Sequence, residues 1–394
     1  MNRKFIPLSV PNLKGNELKY VTHAVETEWV STAGSYVNDF EEKIAEYVKA
    51  EGAVSCQNGT SGLHIALQVC GVTKKDEVIV PTLTFIAAVN PVKYIGAEPI
   101  FMDCDDSLAI DADKLLEFCQ NECSFNDGKL INRKTNKHIK ALVIVHVFGN
   151  MADMVKIMEI AEEFNLKVIE DATEALGTCY TDGIYQGKYA GTIGNIGVYS
   201  FNGNKIITTG GGGMIVSNDR KLLKKAKHLT TQAKSDEFYY LHDEVGYNYR
   251  MTNLQAALGV AQLEQLENFI KIKKYNYNLY KEGIRDKEGL TILDFRDGTR
   301  PNYWFYALYC NDNYPLSRDE IIKYLSAKNI QSRPIWGLIN EQKPYIDSQT
   351  YRIEKAKIYL EHIINIPCSS NLCKEDVMYV IKCLNNPKGL LKTI

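Results

Sequence analysis

The stretch Ser200-Phe-Asn-Gly-Asn-Lys-Ile-Ile-Thr-Thr-Gly-Gly-Gly-Gly213 places a single lysine, Lys205, between an apolar strand pattern (IGVYSF) and four consecutive glycines. A lysine amine in a partly dry site loses its proton more readily and becomes a nucleophile toward aldehydes, above all pyridoxal phosphate. Glycines let the backbone pass close to a flat cofactor. Taken alone, the stretch fits a cofactor lysine and a surface lysine beside a glycine-rich hairpin equally well.

A second stretch, LKVIEDATE at 166–174, reads as a short buried strand that ends in two acids, Glu170 and Asp171. An acid at the carboxyl end of a parallel strand faces the crevice where α/β sheets bind ligands. A pyridoxal enzyme needs a carboxylate that keeps the pyridine nitrogen protonated. We predict Asp171 for this task, because it falls where the strand gives way to a loop. Without Lys205, a solvated acid pair would be the better interpretation.

A third stretch, VSCQNGTSGLHIAL at 54–67, reads as a strand, a tight turn and a helix. Gly59, Thr60 and Ser61 stand where the helix begins, and the free N–H groups there favour an anion such as a phosphate. Thr60 could instead be a simple N-cap. No G-x-G-x-x-G follows a first strand, which disfavours a dinucleotide site. We assign His64 no role.

The order of apolar and amphipathic segments predicts an α/β fold. Apolar strands alternate with helical patterns such as MVKIMEIAEEF, which is typical of a mainly parallel sheet covered by helices on both faces. The predicted sheet has seven strands: AVSC, EVIVP, EPIFMD, ALVIVHV, KVIED, IGVYSF and GMIVSN. The polar stretch 121–140 is predicted to be a surface hairpin or loop insertion.

The C-terminal third is predicted to form a second, smaller α+β domain. One long helical pattern from Leu254 to about Arg285 leads into it. An aromatic strand (YWFYALYC), a helix (RDEIIKYLSAK) and a last helix near KEDVMYVIKCL follow. We predict a large cofactor-binding domain at 1–255 and the smaller domain at 256–394.

The amino-acid composition agrees with that of a soluble enzyme. The chain has 394 residues and a formal net charge of −2, which gives no general attraction to nucleic acid or to membranes. No apolar run reaches membrane length and no signal-peptide core is present, so we expect a cytoplasmic protein. Ten cysteines include no Cys-x-x-Cys pair. Cys119 and Cys123 have no nearby histidine pair, so we expect reduced thiols and no metal site.

The chain resembles the DegT/StrS-type nucleotide-sugar aminotransferases, which are fold type I pyridoxal-phosphate enzymes. The resemblance runs nearly end to end and is carried by these motifs in this order: GNELKYV, WVSTAG, NGTSGL, PTLTFIA, HVFGN, IEDATEALGT, SFNGNKIITTGGGGM, GYNYRMTNLQAALG and SRPIWG. Within the family, NGNKIITTGGGG is similar to the branch that acts on UDP-linked 4-keto-6-deoxy-N-acetylhexosamines. Those enzymes make bacillosamine or legionaminic acid precursors for bacterial surface glycans.

The resemblance implies further cofactor contacts. It implies that Phe85 stacks on the cofactor ring and that Ser200 binds the phosphate. Glu174 stands where many relatives have Gln or His near the phenolic oxygen of the cofactor. It also implies a homodimer with shared active sites, in which Asn248 reaches the phosphate of the partner subunit's cofactor.

Two segments match family regions that contact the sugar nucleotide. The predicted substrate-binding residues are Glu28, Trp29, Val30, Ser31, Arg333, Pro334, Ile335 and Trp336. Arginine suits a diphosphate or a carboxylate, and tryptophan suits the face of a sugar or base. Relatives often carry a histidine four residues after that tryptophan, where this chain has Asn340.

The resemblance implies transfer of an amino group, with L-glutamate as donor, to the C4 ketone of a nucleotide-linked sugar. Lys205 would hold pyridoxal phosphate and move protons, and Asp171 would support the cofactor's uptake of electrons. Relatives with histidine in place of this lysine are sugar dehydratases. Three alternatives stay open at this point: a GDP-linked perosamine-type synthase, another fold type I enzyme such as a cysteine desulfurase, and a non-catalytic binding or sensor protein.

Overall fold

The structure is a computed structural model that describes residues 4–387. Its helices are α1 (Glu17–Glu26), α2 (Ser35–Val48), α3 (Gly59–Val69), α4 (Asn90–Tyr94), α5 (Ala112–Asn121), α6 (Met154–Glu163), α7 (Arg220–Thr230), α8 (Asn253–Leu263), α9 (Leu266–Ile284), α10 (Arg318–Ala327), α11 (Lys355–His362) and α12 (Lys374–Asn385).

Its strands are β1 (Gly52–Cys56), β2 (Asp76–Pro81), β3 (Glu98–Met102), β4 (Cys123–Asn126), β5 (Lys129–Asn132), β6 (His138–Val145), β7 (Lys167–Asp171), β8 (Cys179–Tyr180), β9 (Ile196–Ser200), β10 (Gly213–Ser217), β11 (Lys234–Asp236), β12 (Leu241–His242), β13 (Leu290–Ile292), β14 (Thr299–Arg300), β15 (Tyr306–Cys310), β16 (Arg333–Pro334), β17 (Gln349–Tyr351) and β18 (Ile363–Ile366).

The large sheet confirms the predicted α/β fold. Its main order is β1-β10-β9-β7-β6-β2-β3-β17, and β4 and β5 bring it to ten strands. All seven predicted strands lie side by side in it. The pairs from β9 through β7, β6, β2 and β3 are parallel, whereas β10 runs antiparallel to both of its neighbours. The apolar runs are continuous because these strands are buried on both faces.

The sheet brings the three stretches of the sequence together. Strand β7 ends at Asp171 and its parallel neighbour β9 ends at Ser200, so both residues lie at one edge of the sheet. Strand β1 also runs parallel to β9, because both are antiparallel to β10 between them. The turn from β1 into α3 therefore reaches the same edge, beside the loop that carries Lys205.

The polar stretch 121–140 contains a hairpin, formed by β4 and β5, which confirms the prediction. Strand β5 also pairs with β6, so the hairpin extends the large sheet. The prediction of one long helix from Leu254 to about Arg285 is wrong. Two helices, α8 and α9, meet at Glu264 and Gln265. Glu264 accepts hydrogen bonds from Asn16 and Tyr20 at this point, which ties the break to the N-terminal segment.

A smaller antiparallel sheet of order β13-β15-β18-β16 lies in the C-terminal part of the chain. Strand β15 begins at Tyr306, later than the aromatic pattern predicts, since Tyr303 has a φ of 56° that no strand accommodates. Strand β17 leaves this part and joins the edge of the large sheet. The division at 255/256 stays a prediction, and residues 1–3 and 388–394 lie outside the described range. Within that range, no helix is both long and apolar enough to span a membrane.

Candidate active site

A cavity of about 300 Å³ opens at the edge where β7, β9 and α3 meet. Eight of the residues predicted from sequence line it: Gly59, Thr60, Phe85, Asp171, Glu174, Ser200, Lys205 and Trp336. The wall also contains Asn58, Leu63, Thr84, Ala87, Ala88, Val145, Thr173, Asn202, Asn204, Trp304 and Phe305. The three separate stretches of sequence therefore converge on one cavity.

Lys205 lies inside this cavity with its side chain 13% exposed. Its Nζ is 3.5 Å from Oε1 of Glu174 and 4.2 Å from the ring centroid of Trp304. The indole Nε1 of Trp304 donates to the carbonyl of Asn204, at 2.7 Å, which links the ring to the loop that bears the lysine. The amine is thus sheltered, and it faces both a carboxylate and an aromatic ring.

The two acids of β7 have different partners. Glu170 is fully buried and accepts hydrogen bonds from Nε2 of His146 (2.9 Å) and from the backbone N–H groups of Gly191, Ile193 and Gly194. Asp171 lines the cavity and accepts from the Thr173 N–H at 3.1 Å. The geometry therefore separates a carboxylate that organises a loop from one that faces the cavity.

Burial dominates the acid–base properties of the cavity. It raises the pKa of Asp171, although the hydrogen bonds from Thr173 and the charge of Lys205 act in the opposite direction. Burial also raises the pKa of Glu174 to about 7, against the opposing effects of Lys205 and the Phe148 N–H. That N–H donates to Oε2 of Glu174 at 2.8 Å. Glu174 can therefore gain or lose a proton near neutral pH.

The N-terminus of α3 forms another wall. Asn58 is the N-cap, because its side chain accepts from the Ser61 N–H at 2.8 Å. Among the residues that the structure describes, no acceptor is bonded to the N–H groups of Gly59 and Thr60, which are left available for an anion. A Cβ on Gly59 would lie 2.9 Å from Cγ2 of Thr173 and 3.1 Å from Cβ of Ser200. Only glycine allows these segments to approach so closely.

Aromatic rings form the rest of the cavity wall. Trp304 and Phe305 are stacked with centroids 4.0 Å apart, and Trp336 packs on Phe148 at 4.9 Å. Phe85 lies at the mouth and is 54% exposed. The aromatic run around Trp304 was predicted only as a strand. The aromatic pair in NYWFY was the available signal, and it did not reveal that both rings line the cavity.

Several predicted site residues lie outside this cavity. Ser61 is buried in α3. The segment 28–31 is exposed, and its carbonyl groups at Trp29 and Ser31 accept from Asn253. Asn248 is exposed and forms a bridge with Thr231. In the second segment, Arg333 and Pro334 are exposed in β16 and Ile335 is buried, so Trp336 alone reaches the cavity.

Asn340 forms a local contact next to the site. Its Oδ1 accepts a hydrogen bond from the Thr82 hydroxyl, and the Ile339 N–H donates to the Thr82 carbonyl at 3.0 Å. The side chain that replaces the frequent histidine thus ties the segment after Trp336 to the loop that carries Thr84 and Phe85.

The chain matches the DegT/DnrJ/EryC1/StrS aminotransferase family over residues 11–385 and belongs to that family. It is 38% identical to the GDP-perosamine synthase of Escherichia coli O157:H7 over 388 residues, which covers 97% of this chain and 98% of the relative. EpsN of Bacillus subtilis, named as a pyridoxal phosphate-dependent aminotransferase, is 34% identical (97% and 95% covered).

Two further similarities bear on substrate and fold. A UDP-4-amino-4,6-dideoxy-N-acetyl-β-L-altrosamine transaminase of Campylobacter jejuni is 27% identical, with 95% of each chain covered. The solved structure of an aminotransferase from Psychrobacter cryohalolentis superposes with a TM-score of 0.85 at 27% identity, covering 98% of each chain. The protein is thus a sugar aminotransferase with the fold of its family.

The cofactor of this protein is pyridoxal phosphate. The cavity fits it on three observations. Lys205 offers a sheltered amine, Asp171 offers a buried carboxylate, and the start of α3 offers unbonded N–H groups to a phosphate. These three groups are the ones that the aldehyde, the pyridine nitrogen and the phosphate of the cofactor require.

Proposed function

We propose that this protein transfers an amino group from L-glutamate to the C4 ketone of a GDP-linked 4-keto-6-deoxy sugar, in the manner of a perosamine synthase. The shared cavity of Lys205, Asp171 and the α3 N-terminus carries the aminotransferase part of the proposal. The choice of GDP as the nucleotide rests on sequence similarity, because this chain is 38% identical to the GDP-perosamine synthase and 27% identical to the UDP-sugar transaminase. GDP therefore replaces UDP as the preferred proposal.

We assign the cofactor contacts as follows. Lys205 binds the aldehyde carbon, Asp171 keeps the pyridine nitrogen protonated, and the N–H groups of Gly59 and Thr60 bind the phosphate together with Ser200. Phe85 supplies a flat apolar face for the ring. When bound, pyridoxal phosphate supplies an electron sink that stabilises negative charge on the carbon being deprotonated.

The protein's own groups perform the proton transfers. Nζ of Lys205 would take a proton from the donor carbon and deliver it to the cofactor within the first half of the reaction, and in the second half it would move a proton from the cofactor to C4 of the sugar. Glu174 lies 3.5 Å from that nitrogen and can hold a proton near neutral pH, so it helps Lys205 to change its protonation state. Trp304, Phe305 and Trp336 limit the access of water to this exchange.

A direct assay tests the proposed substrate. The enzyme is incubated with L-glutamate and either a GDP-4-keto-6-deoxy sugar or a UDP-4-keto-6-deoxy-N-acetyl sugar, and the product mass is read. We expect the mass of the amino sugar to appear much faster with the GDP compound, and not at all with Lys205→Ala. Faster turnover of the UDP compound would reject GDP as the nucleotide of the substrate, but the proposed aminotransferase activity would stand.

We further propose that the protein is a homodimer in which Asn248 completes the partner subunit's site. Asn248 is exposed and outside the cavity of its own chain. The neighbouring hairpin β11–β12 and its flanks expose large apolar residues that a partner would cover: Phe238, Tyr239, Tyr240, Leu241 and Val245. A side-chain amide suits a phosphate oxygen.

Mixing two inactive variants tests the shared site. Lys205→Ala lacks the lysine, and Asn248→Asp places a negative charge against the phosphate. In a mixed dimer, one site combines the wild-type lysine of one chain with the wild-type asparagine of the other, so we expect activity to return after subunit exchange. Verified heterodimers that stay inactive would show that Asn248 serves its own chain or no site.

A further inference from the structure

Trp304 is anchored on several sides against the active-site lysine. It is 2% exposed, and its ring centroid lies 4.2 Å from Nζ of Lys205. Its indole N–H donates to the Asn204 carbonyl at 2.7 Å. Its backbone N–H donates to Oδ1 of Asn302 at 2.9 Å, and its carbonyl accepts from Nζ of Lys273 at 3.1 Å. Two of these three partners, Asn302 and Lys273, are buried and do not line the cavity, so the ring position depends in part on groups outside it.

Asn302 also holds the segment that carries Glu174. Its Nδ2 donates to the carbonyl oxygens of Glu174 (2.8 Å) and Leu176 (3.0 Å). Its backbone N–H donates to Oγ1 of Thr178 at 3.0 Å, and the side chain is completely buried. Both amide hydrogens and the amide oxygen are thus used, and one side chain connects the two residues that face Lys205.

The loop that orients the Glu174 carboxylate packs on the same amide. A Cβ on Gly149 would lie 1.9 Å from Oδ1 of Asn302, and Gly149 has a φ of +84°. The preceding residue, Phe148, donates its N–H to Oε2 of Glu174. A glycine is therefore required where this loop crosses Asn302, and Asn302 lies against the backbone that sets the carboxylate's direction.

We propose that Asn302 is a positioning residue that fixes Trp304 and Glu174 on the two sides of Lys205. The proposal rests on the proposed role of Lys205 as the cofactor's lysine, and it holds for any sugar substrate. Asn302 touches neither the cavity nor the lysine. It acts through a short chain of contacts: its amide oxygen to Trp304 and its amide nitrogen to the Glu174 backbone.

Asn302 holds in place the groups that surround Nζ of Lys205. The charged groups that face its Nζ are Glu174 and Asp171, and the face of Trp304 also attracts a cation. Both the Glu174 carboxylate and the Trp304 ring stabilise a protonated nitrogen at this position. Without Asn302, both are released from their fixed distances. We therefore expect Asn302 to influence the pH dependence of the visible absorbance when the cofactor is bound at Lys205.

The test compares two buried asparagines with matched hydrogen bonds. Asn132 is also completely buried, donates through Nδ2 to Glu77 and Gln349, and accepts at Oδ1 from the Lys134 N–H. It lies in the β4–β5 hairpin, outside the cavity. Asn132→Ala therefore reproduces the loss of a buried amide without disturbing Lys205.

The measurement is the pH titration of the visible absorbance of the holoenzyme, which requires no substrate. For Asn302→Ala we expect the midpoint to fall by roughly half a pH unit or more. We also expect kcat with L-glutamate to fall roughly 10- to 100-fold at a KM within about twofold of wild type. Asn132→Ala should lower the melting temperature similarly but leave the midpoint and kcat unchanged.

A second variant tests the proposal in case Asn302→Ala folds poorly. Lys273→Met removes the donor to the carbonyls of Trp304 and Cys368 but keeps Asn302, so it should shift the midpoint in the same direction by less. An unchanged midpoint in a folded Asn302→Ala holoenzyme overturns the proposal. If Asn302→Ala takes up no cofactor, an unchanged midpoint in Lys273→Met overturns it instead. If Lys205→Ala keeps the visible band, the assignment of the lysine fails instead. Failure of the GDP-sugar assay alone leaves the titration unaffected.

Discussion

The two faces of β7 place neighbouring acids in opposite situations. On one face, Glu170 accepts from His146 and from three backbone N–H groups of the 191–194 loop. On the other face, Asp171 borders a cavity of about 300 Å³ together with Glu174 and Lys205. Both carboxylates are buried, so burial alone does not separate a structural acid from a functional one. The difference lies in what their oxygens face: protein donors in one case and a cavity in the other.

The largest expected effect is the loss of Lys205, which defines the functional face. Lys205→Ala should abolish the visible band of the bound cofactor and reduce turnover roughly 10³-fold or more, because no other amine lines the described cavity. Folding should survive, since the side chain carries no core packing. Absorbance, turnover and thermal unfolding are measured beside Lys221→Ala, a surface control on α7. Turnover close to wild type would remove Lys205 from the mechanism.

The next effect distinguishes the two acids directly. Asp171→Asn keeps the shape of the side chain but loses the charge that we propose holds the pyridine nitrogen protonated. We expect turnover to fall roughly 100- to 1,000-fold. Thermal stability should not decrease, because a buried carboxylate with a raised pKa is costly to ionise. A loss of turnover below tenfold would point to Glu174 as the supporting acid.

The contrast between the faces was only partly predictable from sequence. The position of Asp171 at the end of a strand selected it over Glu170. The parallel register of β7 and β9 pairs Asp171 with Val198, so Asp171 lies at the same edge of the sheet as Ser200. The partners of Glu170 were not predictable, because they come from a loop 21–24 residues later in the sequence. Local pattern identifies where a strand ends, but not which distant backbone groups meet its side chains.

The aromatic residues of the cavity wall were also only partly predictable from sequence. Trp304 and Phe305 were predicted as part of an aromatic strand, yet they precede β15 and line the cavity. The position of Trp304 depends on long-range hydrogen bonds with Lys273 and Asn204. Residues that belong to strand ends and helix starts were therefore found from sequence, whereas those placed by long-range hydrogen bonds were not.

A smaller effect is expected for Glu170→Gln, and it concerns stability instead of turnover. In Glu170→Gln, an NH₂ group replaces one carboxylate oxygen and must face backbone N–H groups that are already donors. We expect the free energy of unfolding to fall by about 3 kcal/mol, because buried donors lose their acceptor. Turnover per bound cofactor should stay within twofold of wild type. A large loss of turnover in fully folded protein would contradict the division of roles on β7.

The smallest expected effect concerns Glu174, whose pKa burial raises to about 7. An acid with a raised pKa in the folded state holds its proton where the unfolded chain has released it. The free energy of unfolding of the cofactor-free wild type should therefore fall as the pH rises from about 4.5 to about 7. Glutamine does not titrate, so Glu174→Gln should become more stable relative to wild type by roughly 2 kcal/mol between pH 5 and pH 7.

Denaturant unfolding of both proteins between pH 5 and pH 8 measures this difference. Glu354→Gln provides a flat control, because the ion pair with Lys114 lowers the pKa of Glu354 below its ordinary value of 4.5, so this carboxylate is ionised in the folded and the unfolded chain across the measured range. The stability of that variant should run parallel to wild type between pH 5 and pH 8. Parallel curves for Glu174→Gln and wild type would mean that Glu174 keeps its charge throughout. It would then pair permanently with Lys205 and could not exchange protons with it, so only the positioning of Lys205 would be left to explain its place in the cavity.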